Sequence, residues 1–399
     1  MQIRPILAAL RSHKTAVTLL VLEIALTMAI LGNLVFIVYG TLQRSRTPTG
    51  VAEGQIGLIQ SIGVIGEDNP STVGDNIALL QRVPGVVAAT FGGPPLWYDS
   101  ASNAFLDPDR QHRVARMYEF TGGQGLSRTL GLHLVEGHDL QPEDLPDASQ
   151  WGSVKEVPAL ITRALAAKLF PGGRALGQRF YDGTSAVRVQ GVVDHLRAEI
   201  TGRPDDDYSV VIEYRVGAQD MGGGFMIRSE PGRLEPTLLA AAAALQKANP
   251  GHVQNKVYTM AELRERYFRS DLATGRMLVA ILLILLVVTA LGVSGLASFW
   301  VQQRRRQIGM RRALGATRGD ILRYFQAENF LIVTAGVVLG AVFAFALNLF
   351  LMHRFELARL PTGYLAVGAL VLWALGQLAV LGPALRAAAV PPVVATRSV

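Results

Sequence analysis

Four stretches of this sequence are apolar for longer than the core helix of a soluble protein needs, and that leaves few architectures open. Residues 14–40, 272–301, 328–352 and 362–386 each exceed the roughly 20 residues that carry a helix across a bilayer. Inside lipid every backbone polar group must find its partner within the segment, so each stretch is read as a transmembrane helix. With 50% hydrophobic and only 17% charged residues, and a mean hydropathy of +0.29, the composition excludes an ordinary soluble domain. Between the first and second stretches lie residues 41–270, where hydropathy falls and turn residues multiply. The expected fold class is therefore an α-helical membrane protein with four transmembrane helices plus a large α+β domain inserted between helices 1 and 2.

Charge sets the orientation. Arg4, Arg11 and Lys14 precede the first span with no acid among them, which places the N-terminus in the cytoplasm. Residues 302–320, between the second and third spans, carry Arg304, Arg305, Arg306, Arg311, Arg312 and Arg318 against a single acid, Asp320. That loop is cytoplasmic too, and so is the tail, 387–399; the inserted domain is exported. The formal net charge of +7 gathers near the apolar ends, which reads as topology and contact with membrane lipids, and no motif for nucleic acid occurs. The absence of cysteine excludes a disulfide framework and a thiolate metal site. Residues 1–13, with Ile3, Ile6, Leu7 and Leu10 at helical spacing, suggest an amphipathic helix on the inner face. Glu23 sits within the first span, where an acid is costly, and is expected to reach headgroups or a polar partner on another helix.

In the exported stretch, alternation over residues 54–66 predicts a strand, residues 72–82 a helix, and residues 84–93 a second strand. Strand, helix and strand recur at residues 222–230, 234–249 and 253–260. The pattern suggests one split subdomain, about 50–113 and 215–260, with a second subdomain, about 114–214, inserted into it. From Ala261 to Gln303 nothing breaks the helical pattern. At 1.5 Å per residue that is about 60 Å, while the hydrocarbon core needs about 30 Å. Residues 261–271 are therefore expected to stand outside the membrane as a stalk.

The loop after this helix is the candidate functional site. Met310, Ala313 and Leu314 recur three to four positions apart and would share one face of a short helix. Gly309 and Gly315 suggest that the backbone turns or closely approaches another surface there. Thr317 followed three positions on by Asp320 reads as a variant capping box that starts the third helix. Along that helix Gly336, Gly340 and Ala344 repeat every four residues, a face suited to close helix packing.

Catalytic chemistry is not visible. No G-x-x-x-x-G-K-[ST] occurs, so hydrolysis of ATP is expected to belong to a separate subunit. The histidines are scattered and no H-E-x-x-H is present, so no metal is expected. Ser294, in GVSGL, lies within an apolar helix and not on a strand-to-helix elbow.

The run RRRQIGMRRALGA, residues 304–316, resembles the segment after the second membrane helix of MacB-like and FtsX-like permeases, written roughly R-x-x-E-I-G-I-R-x-A-L-G-A. Gln307 stands where that pattern has Glu. Gly137 and Asp139, then Leu169, Phe170, Pro171 and Gly177, then Gly191, Val192 and Val193, follow the order of motifs in the MacB-like periplasmic domain, with Thr162 at a frequent Asn. Pro383, Ala384, Ala387, Ala388, Pro392, Ala395 and Arg397 match the family's closing motif, with Thr396 for Leu. The resemblance implies a mechanotransmission permease of the bacterial inner membrane. Arg304, Arg305, Arg306, Gln307, Ile308, Gly309, Met310, Arg311, Arg312, Ala313, Leu314, Gly315 and Ala316 would contact a cytosolic ABC ATPase subunit. ATP and Mg would be bound by that subunit and no cofactor by this chain. Other implied partners are a second permease (homodimer or heterodimer with a paralogue), a periplasmic adaptor and an outer-membrane channel. The implied function is export of peptides, toxins or amphipathic compounds; the alternatives are an FtsX-like signal transducer and a lipoprotein-release permease.

Overall fold

The first apolar stretch forms one unbroken helix, α1 (Lys14–Arg46), in a computed structural model that describes residues 14–62, 70–97, 101–147, 156–183, 185–215, 224–249, 253–355 and 361–391. The amphipathic segment expected over 1–13 and the tail beyond 391, with Pro392, Ala395, Thr396 and Arg397, lie outside the described residues. The chain divides into two units, residues 1–42 with 271–399, and residues 43–270.

The inserted unit is mixed α/β. Its elements run β1 (Ile56–Ile62), α2 (Pro70–Gln81), β2 (Val86–Gly92), β3 (Ala101–Phe105), β4 (Arg113–Gly123), α3 (Leu126–Leu130), β5 (Leu134–Gly137), β6 (Glu156–Thr162), α4 (Arg163–Leu169), β7 (Arg179–Tyr181), β8 (Ala186–Val193), β9 (Ser209–Tyr214), β10 (Gly224–Ser229), α5 (Leu234–Ala248) and β11 (Val253–Thr259). Strands β11, β1, β10 and β2 form an antiparallel sheet, and α2 and α5 cover it through Ile59, Leu80, Phe225, Ile227, Leu238 and Leu245. This is a split subdomain, since β3 to β9 intervene between β2 and β10. Strands β4, β3, β7, β8, β6 and β9 pair in turn, and β9 pairs back with β4 in parallel, so these six close on themselves. Their core holds Ala104, Met117, Ile161, Leu165, Phe180 and Val189.

The boundary expected near residue 113 lies earlier. Strand β3 pairs with β4 and β7, and its Ala104 is fully buried beside Ala115 and Met117, so residues 101–113 belong to the inserted subdomain. The two subdomains join where Gly92 of β2 faces Gly122 of β4. A Cβ on Gly122 would sit 2.8 Å from the Phe91 carbonyl oxygen, so only glycine permits this crossing. The motif glycines Gly137 and Gly191 face each other across the β5–β8 ladder. Gly137 has φ +79°, and Gly191 would bring a Cβ to 2.9 Å from the His138 carbonyl oxygen. Thr162 caps α4, its hydroxyl accepting from the Leu165 N–H at 3.4 Å.

The other unit holds four helices long and apolar enough to cross a membrane: α1, α6 (Met260–Gln303), α8 (Arg318–Phe355) and α9 (Thr362–Ala388), with the short α7 (Arg305–Ala313) between α6 and α8. The capping box is present: the Thr317 N–H and hydroxyl donate to Asp320 Oδ2 at 2.9 and 2.6 Å, and the Asp320 N–H donates back to Thr317 Oγ1 at 3.2 Å. Leu20, Ile24 and Met28 of α1 pack against Ile332, Val333 and Val337 of α8 and Leu365 and Leu372 of α9. Gly336 and Gly340 lie on α1: an added Cβ would come within 2.6 Å of Ile24 Cγ2 and 2.5 Å of the Ala25 carbonyl oxygen. Ala344 is fully buried in the same core. The small-residue face is thus used within the chain. Glu23 lies against α6, where a Cβ on Gly292 would meet its Oε2 at 2.7 Å, and one turn on Thr27 and Thr289 share a 2.9 Å hydrogen bond. Elsewhere α6 packs sparsely, with Met277, Leu283, Ile284, Val287, Val288 and Leu291 exposed.

Candidate functional site

Nine residues make too short a helix to hold itself together in water, so α7 depends on what it touches. Arg304, Ile308 and Arg312 recur every four positions and form one stripe facing the bundle. Arg304, which caps the N-terminus of α7, sends Nη1 to both oxygens of Glu328 on α8 at 3.0 Å, the side chains only 11% and 2% exposed. Its guanidinium also lies 5.9 Å from the Trp300 ring centroid. Ile308 is buried with Val301, Ile321, Phe325, Ala384 and Ala387. Arg312 Nη1 donates to the Ala388 carbonyl at the end of α9, and Arg311 lies 4.9 Å over the Tyr324 ring. Arg304 and Arg311 therefore secure α7 to α8, and Arg312 secures it to α9.

Among the described residues the opposite stripe has no partner. Met310 and Leu314 sit two positions, about 200°, round the helix from Ile308 and Arg312, and are 55% and 86% exposed. Ala313, Arg305, Arg306 and Gln307 are exposed alongside them. Leu314 is held at the tip by a closed turn: the Gly315 N–H donates to the Arg312 carbonyl and the Ala316 N–H to the Arg311 carbonyl. Gly315 has φ +97°, so this helix end needs glycine. Gly309 differs from the expectation. It is buried on the bundle side and is not part of the exposed face, because it follows Ile308 round the helix. Asp320, through hydrogen bonds from Thr317 and then the charge of Arg323, has its carboxyl held below the ordinary value, which keeps the cap ionised.

Sequence reasoning placed Met310, Ala313 and Leu314 on one face but missed the bracing stripe. The four-residue spacing of Arg304, Ile308 and Arg312 was a usable signal. Glu328, 24 residues away, carried none. Among the described residues no group of three or more His, Cys, Asp or Glu is placed to hold a metal ion.

Residues 279–392 match the FtsX-like permease C-terminal family model. The chain is 28% identical over 231 residues to the macrolide export ATP-binding/permease protein MacB of Chromobacterium violaceum, an alignment covering 57% of this chain and 34% of that protein. It is 29% identical over 193 residues to the pyoverdine export ATP-binding/permease protein PvdT of Pseudomonas entomophila, covering 47% and 29%. The chain thus spans about a third of the length of these relatives. The crystal structure of the periplasmic region of MacB from Actinobacillus actinomycetemcomitans matches with a TM-score of 0.36 at 11% identity, over 56% of this chain and 97% of that one. The braced helix α7, here the foot, together with α8, α9 and the part of α6 from residue 279 onward, falls within the residues that match this model.

Proposed function

We propose that this chain is the permease subunit of an ABC-type exporter, moved by a separate cytosolic ATPase subunit that binds ATP and Mg. The observation that carries the reading is the exposed Met310–Leu314 face on a helix fixed from behind by Arg304, Ile308 and Arg312. A free apolar ridge on a rigid support can receive a push; the same ridge on a loose loop would absorb it. Arg305 and Arg306, exposed beside it, would steer an acidic rim onto the ridge. Helix α6 is continuous from Met260 to Gln303, so motion received at the foot would pass along it to the α/β unit in the periplasm. That unit would act on peptides, toxins or amphipathic compounds, with a second permease, a periplasmic adaptor and an outer-membrane channel completing the assembly. The relatives' names, macrolide and pyoverdine export, support export over signalling.

The test is reconstitution of the full chain in nanodiscs with its ABC ATPase subunit. The expected result is ATP hydrolysis stimulated by the wild-type chain and not by Leu314→Asp, with the variant folded. Hydrolysis by the chain alone, or equal stimulation by the variant, would overturn the reading.

A further inference from the structure

The α/β unit receives its two long helices through neighbouring strands. Helix α1 leads through residues 47–55 into β1, and β11 runs directly into α6. Strands β1 and β11 are antiparallel partners with Gly57 opposite Thr259, so both helices leave the same end of one ladder. Immediately outside it lies Arg264. Its Nε and Nη2 meet the two oxygens of Glu53, the first at 3.2 Å, and its Nη1 donates to the carbonyls of Ser45 at 3.0 Å and Thr47 at 2.9 Å. One guanidinium on α6 therefore holds the last turn of α1, the turn that follows it, and the segment entering β1.

Glu53 is itself fixed, because the Thr49 N–H and hydroxyl donate to its Oε1 at 2.9 and 2.7 Å. Burial raises its pKa, but the hydrogen bonds from Thr49 and Arg264 outweigh that and hold it below the ordinary value, so the joint stays charged. The same segment is tied to the six-stranded subdomain. Arg197 donates from its N–H to the Thr49 carbonyl at 2.8 Å and from Nη1 to the Pro48 carbonyl at 2.9 Å. Gly50, at φ +94°, packs so close that a Cβ would come to 2.2 Å from the His195 carbonyl oxygen.

We propose that Arg264, with Glu53, is the outer joint of the force path: it locks the end of α1 to the start of α6, so that movement of α6 works on both subdomains instead of slipping past α1. The inference rests on the coupling reading above and adds where the motion is handed over. Arg264 is a positioning residue, and four contacts made by one rigid fork explain why lysine, with a single point charge, is not equivalent there. Without the joint the β1–β11 ladder still links the two helices, and a ladder resists axial slip by its register alone. Between its packed ends, Met277, Leu283, Ile284, Val287, Val288 and Leu291 of α6 are exposed.

The experiment uses the full chain, which contains no cysteine, with spin labels at Val87→Cys on β2 and Glu136→Cys on β5, both exposed and one on each subdomain. In nanodiscs with the ATPase subunit, trapping with ATP and vanadate is expected to shift the label distance in the wild type. Arg264→Ala is expected to keep stimulated hydrolysis within about twofold while losing the shift, and Arg264→Lys to recover part of it. A wild-type shift in Arg264→Ala overturns the joint and leaves the coupling reading standing; absence of both stimulation and shift in the wild-type chain overturns the coupling reading. Amide exchange in the chain alone tests the joint independently, with residues 47–55 expected to exchange roughly tenfold faster in Arg264→Ala. Unchanged exchange there overturns it too.

Discussion

Leu314 separates docking from folding more cleanly than any other residue of the foot. Its side chain is 86% exposed and follows the last turn of α7, so the folded chain loses almost nothing when it is shortened. A surface substitution of this kind changes stability by about 0.5 kcal/mol or less. If the residue inserts into a groove on the ATPase subunit, truncation forfeits most of the gain from burying leucine, about 1.5–3 kcal/mol. That corresponds to an affinity lower by roughly ten- to a hundredfold. Leu314→Asp is expected to do more, because it would also bury an unpaired carboxylate. The assay is titration of the ATPase subunit onto the full chain in nanodiscs, with thermal unfolding of each variant measured alongside. Equal affinity for wild type and Leu314→Ala, with both folded, would refute the argument that the exposed stripe is a docking surface. Ile308→Ala is the contrast, since Ile308 is buried in the bundle and its loss should lower the unfolding temperature first.

Arg304→Ala should leave the Glu328 carboxylate buried without its cation, a loss of about 3–5 kcal/mol, whereas Arg304→Met with Glu328→Leu should restore most of the stability; equal unfolding temperatures for the single and double variants would reject this. Glu119 on β4 is pushed up to about 7 from 4.5 by burial and then by the charge of Asp182. The folded chain then holds a proton that the unfolded chain lacks between about pH 4.5 and 7, so stability falls as pH rises through that window, and Glu119→Gln should flatten the slope of unfolding temperature against pH; an unchanged slope would count against it. Gly340→Leu would drive a side chain into the Ala25 carbonyl and Met28, costing at least about 1–3 kcal/mol, and normal expression and unfolding temperature in that variant would contradict the packing of α1 on α8.

What could be read beforehand was whatever repeats locally. Four long apolar helices, the Thr317–Asp320 cap and the shared face of Met310 and Leu314 all follow from spacings within one or two turns. The two strand, helix and strand runs were also legible, because each shows its own alternation and helical spacing. Strand β3 escaped because ASNAF has neither regular alternation nor a long apolar run; only pairing with β4 and β7 makes it a strand. The ion pairs escaped for a different reason. Arg304 reads as topology and Arg264 as stalk polarity until folding brings Glu328 and Glu53 to them, across 24 and 211 positions. Gly309 and Gly315 looked alike in sequence, and only the direction of Ile308 into the bundle separates the packed glycine from the one that turns the chain.

The central claim, that the foot is an intracellular surface covered by an ATPase subunit, is tested most directly with a single cysteine. Leu314→Cys in this cysteine-free chain places one thiol at the tip of the exposed stripe. A membrane-impermeant maleimide should label it in inside-out vesicles and not in right-side-out ones, and bound ATPase subunit should protect it. Labelling from the outer face, or labelling that the bound subunit leaves unchanged, would contradict the account.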